Sequence, residues 1–274
     1  MLISSLFLLF PGTITTKLYT GNINEDKKTS ETVATLQEIG NKINNPQGLQ
    51  SIKNKISNID SSLVVIKVLH IGDSHLKAGY FSQPFMEKLN TYYLQKFNGS
   101  VFFNFQTFCK VGTKYSDYNE LAELDNQLLS EKYDLVVVSL GTNDAFSGSA
   151  RTGFYGKVDH LVNKIKTLSP QAAIMLTTPP DGLKKNKSGQ YLALPDLENV
   201  VNTIVKYADD HAIAYWNLHR IMGGNYSINS WYQRKLAAAD RVHFTAKGYN
   251  LFADWLFEAF CTSLENKPPN AIDL

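Results

Sequence analysis

Leu63-Val64-Val65-Ile66-Lys67-Val68-Leu69-His70-Ile71-Gly72-Asp73-Ser74-His75 is an apolar, β-branched run that ends in a turn-forming tetrad. Such a run reads as a strand buried on both faces, the habit of parallel sheets. A second stretch repeats the design: Leu135-Val136-Val137-Val138 leads into Ser139-Leu140-Gly141-Thr142-Asn143-Asp144. Each motif sits where a strand ends and the chain turns toward a helix. In open α/β sheets that carboxyl edge is where ligands bind.

Working outward, strand and helix alternate from residue 63. Strands are expected over about 63–71, 101–108, 134–140, 172–177 and 213–218. Helices are expected over 81–97, 118–129, through Val158, Leu161, Ile165 and Leu168, and over 197–211. A last helix starts after Thr245, a suitable N-cap, and lays Tyr249, Phe252, Leu256 and Phe260 along one stripe. The alternation predicts an α/β fold with a doubly wound, five-stranded parallel sheet. In flavodoxin-like strand order the switch point falls between the first and third strands. Ser74, Gly112, Asn143 and His243 then converge on one edge.

That set suits acyl transfer. A serine hydroxyl is a poor nucleophile until a base takes its proton. Histidine suits the task near neutral pH. Asp240, three residues before His243 on a tight turn, is spaced to orient the ring. The carbonyl oxygen under attack needs donors already aimed at it. The backbone N–H groups of Ser74 and Gly112 and the side-chain amide of Asn143 are the candidates. The helix after Ser74 would add its positive end.

Gly72-Asp73-Ser74-His75, Gly112, Gly141-Thr142-Asn143-Asp144 and Asp240-Arg241-Val242-His243 resemble, in order, the four blocks of the SGNH/GDSL hydrolase family. The resemblance implies a three-layer α/β/α sandwich and no metal or other cofactor. It also implies Ser74 as nucleophile, His243 as base with Asp240 as its partner, and Gly112 and Asn143 beside Ser74 as oxyanion donors. A narrower likeness rests on His70-Ile71-Gly72-Asp73-Ser74-His75, on Met222-Gly223-Gly224 with the later Trp231, and on Asp240 through Tyr249. These are similar to bacterial peptidoglycan O-acetylesterases, which remove acetyl groups from the C6 hydroxyl of muramic acid. The chain departs from them at Lys110-Val111-Gly112-Thr113-Lys114, which lacks their preceding asparagine and second glycine. Ser74 and Gly112 are also too close for an intervening carbohydrate-binding module.

The bulk numbers exclude more than they suggest. The 274 residues carry a net charge of +2, which gives no reason to invoke nucleic acid or an anionic membrane. No run of roughly 18 apolar residues exists to span a bilayer. Cys109 and Cys261 lack a CxxC partner and are expected as free thiols. The expected organisation is an apolar, signal-like segment over 1–19 and a polar linker over 20–62. Within that linker Leu49, Ile52, Ile56 and Ile59 mark a short amphipathic helix. The hydrolase domain covers 63–265 and a tail 266–274. The apolar Met1–Phe10 run followed by an abrupt polar turn predicts export to the periplasm or cell surface.

The expected function is a metal-independent serine esterase acting on an acetylated cell-wall polysaccharide, with no obligate protein partner. A deacetylase of another glycan, or a lipase or thioesterase of the same fold, stays open. From other classes, a metallophosphatase would need a later Gly-His-x-His grouping, which is missing. A silent carbohydrate-binding module has no need of the Ser, His and Asp. His75 reads either as a lining residue or as packing. Trp231 and Tyr232 read either as a sugar-stacking platform or as hydrophobic anchors. His70 reads as a core histidine, and Asp73 and Asp144 as partners of nearby backbone amides. Lys184-Lys185-Asn186-Lys187 reads as a solvated loop beside the cleft, placed to meet anionic glycans.

Overall fold

The computed structural model describes residues 40–59, 63–267 and 269. The signal-like segment over 1–19, the first part of the polar linker, and residues 268 and 270–274 of the tail lie outside the described residues.

The described chain opens with β1 (Ile43–Asn44), a 3-10 turn over Pro46–Leu49, and α1 (Gln50–Ser57). Leu49, Ile52 and Ile56 are buried, as their helical spacing predicts, whereas Ile59, expected on the same stripe, lies beyond the end of α1 and is half-buried. Then follow β2 (Val64–Gly72), α2 (Ser74–Lys77), α3 (Ser82–Lys96), β3 (Val101–Cys109), α4 (Tyr115–Asn119), α5 (Ala122–Ser130), β4 (Leu135–Ser139), α6 (Thr142–Ser147), α7 (Phe154–Leu168) and β5 (Ala173–Thr177). A small hairpin, β6 (Leu183–Lys185) and β7 (Tyr191–Ala193), precedes α8 (Leu197–Asp210) and β8 (Ala214–Trp216). Short α9 (Leu218–Ile221) and α10 (Ser227–Gln233) lead to α11 (Ala246–Glu265).

The main sheet runs β1-β8-β5-β4-β2-β3. From β8 to β3 all neighbours are parallel, in the flavodoxin-like order, and the chain reverses its winding between β2 and β4. The sheet has six strands, not the five expected. The extra one, β1, pairs antiparallel with β8 through Ile43↔Trp216 and Asn44↔Tyr215. Two residues carry no legible period. They are held by polar ties instead: Asn41 Nδ2 donates to Trp255 O (2.9 Å), and Asn45 Nδ2 donates to Ile213 O (3.2 Å).

Both faces of the sheet are covered, giving a three-layer sandwich. Leu69, Ile71, Val136, Val138 and Leu176 face a core built with α4, α5, α7 and α8. On the other face Phe85 of α3 meets Phe105 and Phe260 edge-on, at 5.5 and 5.7 Å between centroids. The four stripe residues of α11 are all buried. The single helix expected over 118–129 is two, α4 and α5, broken at Leu121, whose backbone is extended. No helix of the described residues is long and apolar enough to cross a membrane. Both thiols are free; Cys261 is buried and Cys109 half-buried.

Candidate active site

The β2 strand delivers Ser74 as the first residue of α2. Asp73 caps that helix, its Oδ1 accepting from His75 N at 3.0 Å. The strand and helix meet closely: a Cβ on Gly72 would lie 2.2 Å from Leu76 Cδ1. Ser74 is therefore pinned at the carboxyl edge, half-exposed.

The loop before α11 supplies the other two members. Asp240 Oδ1 accepts from Val242 N and His243 N, both at 2.9 Å, folding a tight turn with Arg241 at φ 58°. Asp240 Oδ2 lies 2.7 Å from His243 Nδ1. One carboxylate thus shapes the turn and binds the ring it presents. Burial raises the Asp240 pKa, but the bonds from the His243 ring and the two backbone N–H groups outweigh it and hold the carboxyl below its usual range. With Nδ1 donating to Asp240, Nε2 is left to accept, and it lies 2.9 Å from Ser74 Oγ. Ser74, His243 and Asp240 form one continuous hydrogen-bonded chain.

Asn143 comes from α6, across the switch point. Its Nδ2 donates to Asp73 Oδ2 and to Thr113 O, both at 3.0 Å. Both amide hydrogens are engaged, so donation to an oxyanion requires one bond to be shared or exchanged. Gly112 sits in the exposed turn next to Thr113 with φ 78°. A Cβ there would touch nothing within 4 Å, so the glycine answers the backbone conformation rather than a lack of space. Lys110 N, donating to Gly72 O at 3.3 Å, ties the start of this loop to the end of β2.

Burial pushes the Asp73 carboxyl up to about 7, against the lowering effect of the His75 N–H and nearby His243. Asp144, bonded by Tyr115 N, is pushed up to about 6, mainly by burial. Both serve backbone amides, as their positions predict. His70 is buried between Ser139 Oγ (2.8 Å) and Ser82 Oγ (2.9 Å). Burial holds it neutral, with a pKa of about 3.

The three possible substrate contacts are not among the residues that line the cleft. His75 is buried, with Nδ1 2.9 Å from Tyr249 OH and its ring 5.2 Å from that of His243. It packs behind the base. Trp231 is 3% exposed. Its Nε1 donates to Met222 O and its ring packs on Phe252 and Phe244, so the platform reading gives way to the anchor. Tyr232 is exposed, but the Arg241 guanidinium lies 3.5 Å from its ring centroid.

The cleft has a volume of about 480 Å³. It is lined by Ser74, Asn143 and His243 and by Lys184, Lys185 and Tyr191 of the β6–β7 hairpin. Tyr191 was hidden in the sequence, because a three-residue strand in a polar stretch carries no alternation to read. Among the described residues no group of three His, Cys, Asp or Glu side chains is arranged to hold a metal ion.

Comparison with known proteins bears on this geometry. A family model described as GDSL-like lipase/acylhydrolase matches residues 68–256, well over half of the chain. Among solved structures, a peptidoglycan O-acetylesterase aligns with a TM-score of 0.64 at 17% identity, covering 81% of this chain and 96% of its own. An acetyl xylan esterase, AlAXEase, aligns at 0.54 and 22%, covering 71% and 99%. A two-domain esterase active on acetylated mannans aligns at 0.56 and 16%, covering 81% and 55%. At these identities the likeness is one of fold. No curated protein matches the chain in sequence. The family match spans both strand-edge motifs and the base loop, and on that ground the chain belongs to the GDSL-like lipase/acylhydrolase family and is a carboxylic ester hydrolase.

Proposed function

We propose that the chain is a serine esterase that removes O-acetyl groups from a cell-wall polysaccharide, with peptidoglycan the foremost candidate. The observation that carries the reading is the Ser74–His243–Asp240 chain of hydrogen bonds at 2.9 and 2.7 Å. In this reading His243 Nε2 takes the hydroxyl proton as Ser74 Oγ bonds to the acetyl carbon. The negative oxygen is met by the Asn143 amide and the N–H groups of Ser74 and Gly112. The carbon–oxygen bond to the sugar then breaks, and His243 returns the proton to the leaving hydroxyl. Water, deprotonated by the same ring, releases acetate and restores Ser74. The fold likeness to esterases named for acetylated peptidoglycan, xylan and mannan supports acetyl as the group removed.

The test is acetate release from O-acetylated peptidoglycan, acetylated xylan and short p-nitrophenyl esters. The expected result is release from the glycans, preference for acetyl over longer acyl esters, and loss of all three activities in Ser74→Ala. A folded enzyme that prefers long-chain esters and leaves every glycan untouched would replace this reading with that of a lipase.

A further inference from the structure

The β6–β7 hairpin lines the same cleft as Ser74, and it carries an unusual charge. Lys184 and Lys185 both line the cleft and both are exposed. Neither has a carboxylate within ion-pair distance among the described residues, although most of the other ion pairs there involve lysine. Their contacts are with uncharged groups instead, and Lys184 Nζ donates to Phe146 O at 3.4 Å. Lys184 Nζ lies 4.5 Å from the centroid of Phe146, at the end of the helix that carries Asn143. Lys185 Nζ lies 5.8 Å from that of Tyr191, its cross-strand partner. Such contacts place an ammonium group without neutralising it. The one cleft carboxylate, Asp240, is committed to His243 and to two backbone amides.

The hairpin is also a built element. Asn186 closes its turn, with Asn186 N donating to Gln190 O and Asn186 Oδ1 accepting from Gln190 N, both at 2.8 Å. It is tied to the loop of the proposed base: Leu183 N donates to Arg241 O at 2.8 Å, and Tyr191 OH donates to Ala239 O at 2.7 Å. The Arg241 guanidinium lies 5.4 Å from the Tyr191 centroid and 3.5 Å from that of Tyr232. A ligand held on this hairpin is therefore fixed relative to His243.

We infer that the hairpin is a subsite for a carboxylate-bearing sugar unit, with Lys184 and Lys185 reading the carboxylate. The inference rests on the polysaccharide reading above and narrows it to acidic glycans. An ammonium group suits the task, since it is a mobile point charge that can follow a carboxylate along a polymer. The exposed setting makes the attraction sensitive to salt.

The experiment compares carboxylate-bearing O-acetylated peptidoglycan fragments, acetylated xylan freed of uronic acid, and p-nitrophenyl acetate, each at low and at near-physiological salt. The wild-type enzyme is expected to favour the acidic glycan, with a KM for it that rises several-fold with salt. In Lys184→Gln/Lys185→Gln, the ratio of kcat/KM on the acidic glycan to that on p-nitrophenyl acetate should fall by about tenfold, and the salt response should vanish. Lys184→Arg/Lys185→Arg should keep most of the ratio, which separates lost charge from a damaged hairpin. Equal wild-type efficiency on acidic and neutral glycans, or an equal loss on all substrates in the Gln variant, would overturn the subsite and leave the esterase standing. Cleavage of p-nitrophenyl acetate with no acetate from either glycan would overturn the polysaccharide reading, and the subsite with it.

Discussion

Asn143 gives both amide hydrogens to the Asp73 carboxyl and the Thr113 carbonyl. These bonds set the amide between α2 and the Gly112 turn, where the developing oxyanion would form. Asn143→Ala is expected to lower kcat by roughly 10²–10³ with little change in KM, the mark of a donor that acts in the transition state. A loss confined to KM would show that Asn143 binds substrate instead. Asp73→Asn leaves one acceptor oxygen for the two donors, His75 N and Asn143 Nδ2, so the Asn143 amide should loosen or tilt. Steady-state kinetics should show kcat reduced by about tenfold at similar KM. Wild-type kcat in that variant would show that Asp73 does not position Asn143. The spacing of Asp240 and His243 made their pairing legible, because a carboxylate three residues upstream on a turn can reach the ring. Residues such as Trp231 were not legible in the same way. An aromatic side chain has the same letter whether its face meets a sugar or Phe252, and only packing decides.

Elements carry the next level of precision. Gly141, whose φ is 119°, is the N-cap of helix α6. A Cβ there would lie 2.8 Å from Val200 Cγ1 and 3.2 Å from Pro179. Gly141→Ala is expected to destabilise the fold by about 1–3 kcal/mol and to lower kcat, because α6 cannot move without moving Asn143. Urea unfolding and steady-state kinetics on one preparation would check both effects, and a variant as stable as wild type would contradict the close packing of α6 on α8. The five parallel strands and the long helices could be read from the sequence: β2, β4 and β5 from their apolar runs, and the long helices from the spacing of their apolar residues. The elements that escaped reading are short. Strand β1 has two residues, and the β6–β7 hairpin has three per strand in a lysine-rich stretch. Backbone pairing and side-chain ties hold them, and such ties leave no hydrophobic period.

For the whole molecule, buried titratable groups on either side of the Ser74 edge couple folding to pH. His70 and His75 are each held neutral, with pKa values of about 3, chiefly by burial. A lowered histidine pKa stabilises the fold fully above 6.5, and that stability is lost as pH falls toward 3. Asp73 and Asp144, raised to about 7 and 6, act in the opposite sense, favouring the folded state as pH falls toward 3.8. The two effects oppose each other in the intact protein, so a single variant is needed to expose either. His70→Asn breaks the bonds to Ser82 and Ser139 and should cost about 1–3 kcal/mol at pH 7. The gap to wild type should shrink by about 1.4 kcal/mol per pH unit between pH 6 and 4, because asparagine takes up no proton on unfolding. Urea titrations across that range would check it, and a gap independent of pH would mean that His70 is not held neutral. The central claim, that this fold presents Ser74 as a nucleophile activated by His243, is tested most directly by reaction with a fluorophosphonate followed by peptide mapping. The account predicts a single adduct on Ser74, slow or missing in His243→Ala and missing in a folded Ser74→Ala. Labelling of folded Ser74→Ala at the wild-type rate, or an adduct on any other serine, would contradict it.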